Sequence, residues 1–191
     1  AVASKIKTLR ANVRFDRIQI LQGDEQRRFG LMVYVAGPPA KVKVHFNTLF
    51  VDKVSHPQDQ QWIFDGSWLV ERYDSKKQFK KRQIVAPNAR PEDTDPLAFG
   101  EGPFIMPIKA KKKLLLKRFK IELIDASKKD PANAFHLRMT PKSGKSGQYD
   151  LIDVWYSRES LLPVRARARH AGSGNLDIFD LTKVVLDTPV K

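Results

Sequence analysis

Apolar and polar residues alternate along most of this chain, and an alternation with a period of two residues indicates β-strands with one buried face. The segment Lys41–Phe46 shows it without error, with Val42, Val44 and Phe46 on one side. Turn-forming residues separate the strand-like segments. Outside the central meander described next, the predicted strands are Asn12–Leu21, Arg27–Val35, Lys41–Phe46, Leu49–Val54, Phe119–Leu123, Phe135–Met139, Tyr149–Ser157, Leu161–His170 and Leu176–Asp187.

The segment Gln60–Val85 predicts a three-stranded β-meander that is rich in aromatic residues. Its first turn is the dipeptide Asp65-Gly66, since glycine readily adopts the positive φ that tight hairpins need. Trp62 and Trp68 flank this turn, and we expect the two rings on the same face of the sheet.

The first predicted strand contains a change of phase. Val13 and Phe15 alternate with polar residues, but Ile18 and Ile20 continue on the other parity after Asp16. One extra residue in a strand shifts the alternation in this way, so the sequence predicts a β-bulge at Asp16-Arg17.

These patterns together predict a mainly β fold of about ten or eleven strands, arranged as a strongly curved antiparallel sheet or an open barrel. We expect a single domain over residues 1–191. The succession of predicted strands and short turns is interrupted at residues 86–118. A segment rich in proline and glycine comes first there, and a short helix is predicted after Pro107. Long connections in compact domains are commonly functional. We therefore interpret this segment as a lid over one end of the sheet.

Composition narrows the classes of function. The net charge of +14 and the pI near 10.0 favour contact with polyanions such as nucleic acid or an anionic membrane surface. The chain has no cysteine, which excludes disulfides, thiolate nucleophiles and cysteine-ligated zinc. No apolar run approaches the ~20 residues of a membrane-spanning helix. The chain begins AVASKIK, without the apolar core of a signal peptide.

The sequence gives little indication of a catalytic or metal-binding site. The four histidines, His45, His56, His136 and His170, lack the spacing of metal ligands. Most carboxylates of the last third fall on turns or on polar strand positions, so we interpret them as solvated surface rather than as a catalytic pair. They are Asp125, Asp130, Asp150, Asp153, Glu159, Asp177 and Asp180.

Two basic stretches support an alternative function. Lys109–Lys120 is dense in lysine and arginine, and Arg165, Arg167 and Arg169 alternate with alanine, which places three guanidinium groups on one strand face. Such a face could follow phosphate groups. The alternative is thus a basic surface module that binds nucleic acid or an anionic membrane surface. Nucleic acid is the weaker of these partners, because the aromatic residues lie on apolar positions rather than among the basic ones.

The order of several segments resembles a known family. The segments are FGLMVYV around Gly30, a proline turn, AKVKVHF, the meander with its core from Asp65 to Gln78, the Pro/Gly-rich segment with its short helix, FKIEL, and Leu162-Pro163-Val164. This arrangement, over nearly the whole chain, is similar to the LolA/LolB-type lipoprotein carriers and their lipoprotein-sorting relatives.

The resemblance implies an unclosed antiparallel β-barrel with a helical lid over an apolar cavity. It also implies a non-catalytic carrier that moves lipid or lipoprotein acyl chains between membranes in the periplasm, exported by a signal peptide that this chain lacks. We expect a monomer without cofactor or metal, in transient contact with an anionic membrane surface or a membrane transporter. Carriers of this type often place an arginine before the strand-ending proline, where this chain has Gly37.

Within this resemblance, apolar residues of Arg27–Val35, Lys41–Phe46 and the meander are expected to line the cavity, although ordinary core packing would demand the same residue types. The predicted cavity residues are Phe29, Leu31, Val33, Val42, Val44, Phe46, Trp62, Phe64, Trp68 and Val70. The predicted lid residues are Phe104, Ile105, Met106, Leu114 and Leu115.

Overall fold

Eleven antiparallel strands form one sheet in the computed structural model, which describes residues 5–37, 39–84, 105–106, 108, 112–142 and 148–189. The strands are β1 Thr8–Gln19, β2 Asp24–Val35, β3 Lys41–Val51, β4 Val54–Phe64, β5 Trp68–Tyr73, β6 Gln78–Gln83, β7 Phe119–Ile124, β8 Ala134–Pro141, β9 Tyr149–Ser157, β10 Pro163–His170 and β11 Leu176–Leu186. A 3₁₀ turn spans Asp74–Lys76, and a short helix, α1, spans Lys112–Arg118.

The sheet is a sequential meander in two halves that meet at the first and last strands. Its order is β6-β5-β4-β3-β2-β1-β11-β10-β9-β8-β7, so β6 and β7 are its edges and the sheet does not close into a barrel. The predicted fold class, a mainly β protein with ten or eleven antiparallel strands in an open sheet, is confirmed. No helix in the described part of the chain has both the length and the hydrophobicity to span a membrane.

Alternation determines which side chains of each strand are buried. On β1, Leu9, Ala11, Val13 and Phe15 are buried, whereas the residues between them lie on the other face. We call the face that carries these four side chains the inner face and the opposite one the outer face. Antiparallel partners directly opposite one another share a face, so the register transfers this assignment from strand to strand.

The predicted bulge at Asp16-Arg17 is wrong. The pairing of β1 with β2 runs without a break from Thr8 to Gln19, and β1 shifts register against β11 only between Arg10 and Asn12. The strand therefore keeps its phase, and Arg17 takes the inner-face position that follows Phe15. What changes after Phe15 is the chemistry of the inner face, from apolar to charged.

The turn between β3 and β4 also differs from expectation. The predicted short strand Leu49–Val54 is the end of β3 and the first residue of β4. Between them, Asp52 and Lys53 have φ values of 50° and 67°, the left-handed conformation of both central residues in a type I′ hairpin. Asp52 is a residue type that this turn favours, but Lys53 stands where glycine is usual, so the sequence did not indicate a hairpin here.

Gly30 allows β2 and β3 to approach closely at the centre of the sheet. A Cβ atom at this position would collide with the backbone carbonyl of His45 and with the Cα of Phe46. The β2–β3 register shifts at this point, between Phe29 and Gly30. Only glycine fits, and the local distortion adds to the curvature of the sheet.

Candidate functional site

Four aromatic rings fill the centre of the inner face. The rings belong to Phe15 on β1, Phe46 on β3, Trp62 on β4 and Phe179 on β11. Phe15 and Trp62 contact each other and both of the other rings, with centroids 4.4–6.3 Å apart. Each of the four residues is at most 5 % exposed. Because the rings come from both halves of the sheet, this aromatic cluster joins the halves across the concave side.

Five of the predicted cavity residues lie together on the inner face. The register pairs Val42 with Phe64 and Val44 with Trp62, and Phe46 faces Gly30. All five side chains are buried. Their proposed role in ligand binding stays a prediction, but the structure places them around the aromatic cluster.

Phe29, Leu31 and Val33 are not on that face. They pair with Thr48, His45 and Lys43, on the outer face of the sheet, where Phe29 is 37 % and Leu31 is 55 % exposed. The inner positions of β2 are Met32 and Tyr34. We correct the placement of these three residues. β2 is apolar on both faces, so alternation alone could not show which face turns inward.

The expectation that Trp62 and Trp68 share a face is likewise wrong. Phe64 pairs with Leu69 and Ile63 with Val70, so four residues lie between the last paired positions of β4 and β5. In this register, each even-numbered residue of β4 lies opposite an odd-numbered residue of β5, and opposite residues share a face. Trp68 and Val70 therefore lie on the outer face with Ile63, and the ammonium group of Lys81 lies 4.5 Å from the Trp68 ring centroid.

Part of the predicted lid is buried against the inner face. Ile105 is 1 % and Met106 is 2 % exposed, and both belong to the core cluster of the sheet. Ile108, which the sequence did not single out, is buried in the same cluster. Leu115 on α1 is partly buried against it. Phe104 and the side chain of Leu114 lie outside the described residues.

The inner face becomes polar beyond Phe15. Arg17 continues β1 and its guanidinium binds Asp177 of β11, with Nε 3.0 Å from Oδ1. The buried Asp177 carboxylate also accepts a hydrogen bond from the Tyr149 hydroxyl at 3.1 Å and lies 2.9 Å from Nε2 of His170. Burial works to lower the pKa of Arg17, but Asp177 outweighs it and the pKa is raised. The charges of Arg17 and Asp177 therefore neutralise each other within the protein.

Arg28 occupies the inner-face position of β2 opposite Phe15. Its guanidinium carbon lies 5.8 Å from the Phe15 ring centroid, and that of Arg17 lies 5.4 Å from the same ring. Nη2 of Arg28 donates to Oε1 of Gln26 at 2.8 Å, whereas Nε and Nη1 are buried and have no acceptor among the described residues. Burial, and after it the charge of Arg17, lowers the pKa of Arg28.

The outer face of β8–β11 carries a dense set of ion pairs. Asp153 is 1 % exposed and accepts hydrogen bonds from Arg138 Nε at 2.8 Å and Arg167 Nη2 at 2.6 Å, with His136 Nε2 at 3.0 Å. Burial works to raise the pKa of Asp153, but these hydrogen bonds outweigh it and the pKa is lowered. The interpretation of the late carboxylates as solvated surface is therefore wrong for Asp153 and Asp177, which are buried.

The three alternating arginines of β10 do share the outer face, as the alternation predicts. Each is paired, however: Arg165 with Asp180, Arg167 with Asp153 and Arg169 with Asp150. A groove of about 400 Å³ is lined by Arg165 and Arg167, with Trp155 and His136 among its other walls. Because the carboxylates neutralise the arginines, this face is less suited to a chain of phosphates than its sequence indicates.

The described residues contain no cluster of histidine and carboxylate side chains that could hold a metal ion. No family model matches the sequence. No curated protein matches it either.

Solved structures do resemble this chain. An uncharacterized conserved protein from Thermus thermophilus has a TM-score of 0.55 and 7 % identity over 97 % of this chain and 82 % of its own. Structural neighbours include LolA-type proteins. A LolA superfamily protein from Nitrosomonas europaea has a TM-score of 0.40 and 13 % identity, over 98 % of this chain and 92 % of its own.

A putative outer membrane lipoprotein-sorting protein domain from Vibrio parahaemolyticus also has a TM-score of 0.40, with 12 % identity over 96 % of this chain and 87 % of its own. Because all three identities are low, the likeness concerns the fold. The open antiparallel sheet of this chain is the architecture that the sequence resemblance implied.

Proposed function

We propose that this protein is a non-catalytic carrier that holds the acyl chains of a lipid or lipoprotein against the inner face of its sheet. The observation that supports this most is the buried lid segment. Ile105, Met106 and Ile108 are almost completely excluded from solvent on the concave side of a sheet that does not close. Because these three described side chains are apolar and pack in an apolar cluster, another apolar occupant can take their place.

The energetics fit such an exchange. Transfer out of water lowers the free energy of an acyl chain by roughly 0.8 kcal/mol for each CH₂ group. A carrier must therefore offer a dry apolar surface as long as the chain that it holds. On β1 the apolar inner positions run from Leu9 to Phe15, roughly 20 Å at the rise of a strand. Ile105, Met106 and Ile108 belong to the same buried hydrophobic cluster as the four aromatic rings, which keeps this surface out of water.

We place the carrier in the periplasm on the strength of the sequence resemblance to LolA/LolB-type proteins. Its partners would be the membranes, or the membrane transporter, that supply and receive the acyl chain. The excess of lysine and arginine suits transient contact with anionic headgroups. The exposed side chains of β6, including Lys80, Lys81 and Arg82, offer such a surface on one edge of the sheet.

The alternative, a module that binds nucleic acid through its basic surface, is weaker than the sequence alone indicated. One of its two candidate stretches, the alternating arginines of β10, is neutralised, because each of those arginines has an aspartate partner. The two functions differ in salt dependence. Affinity for nucleic acid falls steeply with salt, whereas retention of an apolar ligand does not.

The test begins with native mass spectrometry and solvent extraction of the purified protein, followed by uptake of a fluorescent fatty acid. We expect saturable uptake that is nearly independent of salt. Met106→Ala should accelerate uptake, because it removes apolar contacts that hold the lid segment closed. Leu116→Ala is the matched control, since Leu116 lies on the same region of chain but is 43 % exposed. A protein that carries no lipid and takes up none would refute the proposal.

A further inference from the structure

The two arginines at the polar end of the inner face, Arg17 and Arg28, differ in their ion-pair partners. Arg17 has a buried carboxylate partner in Asp177, whereas Arg28 forms no ion pair with any described residue and leaves Nε and Nη1 without an acceptor. Both guanidinium groups flank the ring of Phe15. A cation in this position is held where water cannot fully solvate it and where a second cation is close.

No described carboxylate forms an ion pair with Arg28, although Asp177 and Asp24 lie close enough for their charges to act on it. The Asp177 carboxylate is already engaged by Arg17, Tyr149 and His170. Gln26 supplies a neutral amide oxygen to Nη2. Tyr73, whose pKa is raised by burial and then by Glu71, is a neutral phenol near pH 7. Buried charges without a counter-ion are costly, and they are commonly retained where a ligand supplies the opposite charge.

The position of Arg28 relative to the apolar surface is specific. Phe15, its cross-strand partner, stacks on Phe179 and lies edge-on to Trp62. An apolar chain packed along the aromatic cluster would therefore end beside two guanidinium groups. The side chain of Arg17 is 42 % exposed, so this end of the inner face reaches solvent and can accommodate a polar group.

We propose that Arg28, assisted by Arg17, binds the anionic end of the ligand, so that the protein selects acyl chains with a carboxylate or phosphate headgroup. This inference rests on the proposed carrier function and specifies the ligand class for the same site. The headgroup oxygens would accept hydrogen bonds from Nε and Nη1 of Arg28 and offset its repulsion with Arg17, while the chain covers the aromatic cluster.

The test compares ligands that share one chain and differ in headgroup: hexadecanoate, hexadecyl phosphate and hexadecanol. Their affinities are measured by displacement of a fluorescent neutral probe. We expect the wild-type protein to prefer at least one of the two anions over hexadecanol by about tenfold or more, the range of one charge-assisted hydrogen bond. The stronger of the two anions identifies the headgroup, carboxylate or phosphate.

Arg28→Met should abolish this preference and leave the affinity for hexadecanol within about twofold. Arg28→Lys retains the charge and should retain most of the preference. Arg10→Met is the control, because Arg10 is an exposed outer-face residue of β1. Should the methionine variant fail to fold, Arg28→Gln replaces it, since glutamine is polar but uncharged.

The outcomes separate the two proposals. Equal binding of all three ligands by the wild-type protein, or a preference that survives in Arg28→Met, would overturn the headgroup site and leave the carrier function standing. Failure to bind any of the three would overturn the carrier function and the headgroup site together. Loss of preference in the Arg10→Met control would show that general surface charge, not Arg28, is responsible, and would also overturn the site.

Discussion

The ring of Phe15 on β1 stacks on that of Phe179 on β11, with centroids 4.4 Å apart and planes inclined by 20°. These two strands are the first and last of the chain, and their pairing joins β2–β6 to β10–β7. The contact is thus the point where the two halves of the inner face meet.

Replacing Phe15 by alanine should lower the free energy of unfolding by about 3–5 kcal/mol, because it leaves a cavity between the halves of the sheet. A double-mutant cycle with Phe179→Ala should give a coupling energy of about 0.5–1.5 kcal/mol, typical of a stacked aromatic pair. Denaturation in urea measures both. Phe29→Ala, on the outer face, should cost markedly less. Equal losses at positions 15 and 29 would contradict the assignment of the faces.

The opposite placement of Trp62 and Trp68 predicts different quenching by a bound lipid. Two variants would each retain a single member of this pair, with the other indole and Trp155 replaced by phenylalanine. A fatty acid brominated along its chain should quench the emission of the protein that keeps Trp62, because that ring lies in the aromatic cluster. The emission of Trp68, on the outer face, should hardly change. Quenching of Trp68 alone would place the ligand on the wrong side of the sheet.

Asp153→Asn should destabilise the protein by about 3–5 kcal/mol at pH 7, since the carboxylate is buried and binds two arginines. The pKa of Asp153 is lowered in the folded protein, so its contribution to stability is present above the unfolded pKa, near 3.8, and is lost as the pH falls through the folded value. The difference between wild type and variant should therefore shrink below about pH 4.

Urea denaturation of both proteins at pH 7 and at pH 3 checks this pH dependence. Glu159→Gln is a suitable control, because the Glu159 carboxylate accepts a hydrogen bond from Asn133 at an exposed site. It should change stability little at either pH. A penalty for Asp153→Asn that stays constant with pH would mean that the ionised carboxylate is not what stabilises this region.

Gly30→Ala should lower the free energy of unfolding by about 1–3 kcal/mol or more, because the new methyl group would meet the backbone of His45 and Phe46 rather than a side chain that can move. Gly37→Ala is the matched control: its Cβ would find no atom in collision, and its φ is not in the left-handed region. We expect that variant to stay within about 0.5 kcal/mol of wild type. Thermal unfolding of the wild-type protein and both variants measures these differences in stability.

Alternation of apolar and polar residues was sufficient to predict the mainly β class and the approximate number of strands. The reason is local: a half-buried strand needs one apolar face, so its pattern is written in consecutive residues. The same local logic placed Val42, Val44 and Phe46 on one face of their strand, and that face is the buried one in the structure.

Pairing between strands decided what the sequence by itself could not. The face occupied by Leu31 depends on its partner on β3, and that occupied by Trp68 on the length of the loop after Phe64. Burial of Asp153 depends on arginines from two other strands. The same holds for Arg28, since its place beside Phe15 comes from the β1–β2 register. A residue's own neighbours in sequence determine its strand, but only distant residues determine what that strand faces.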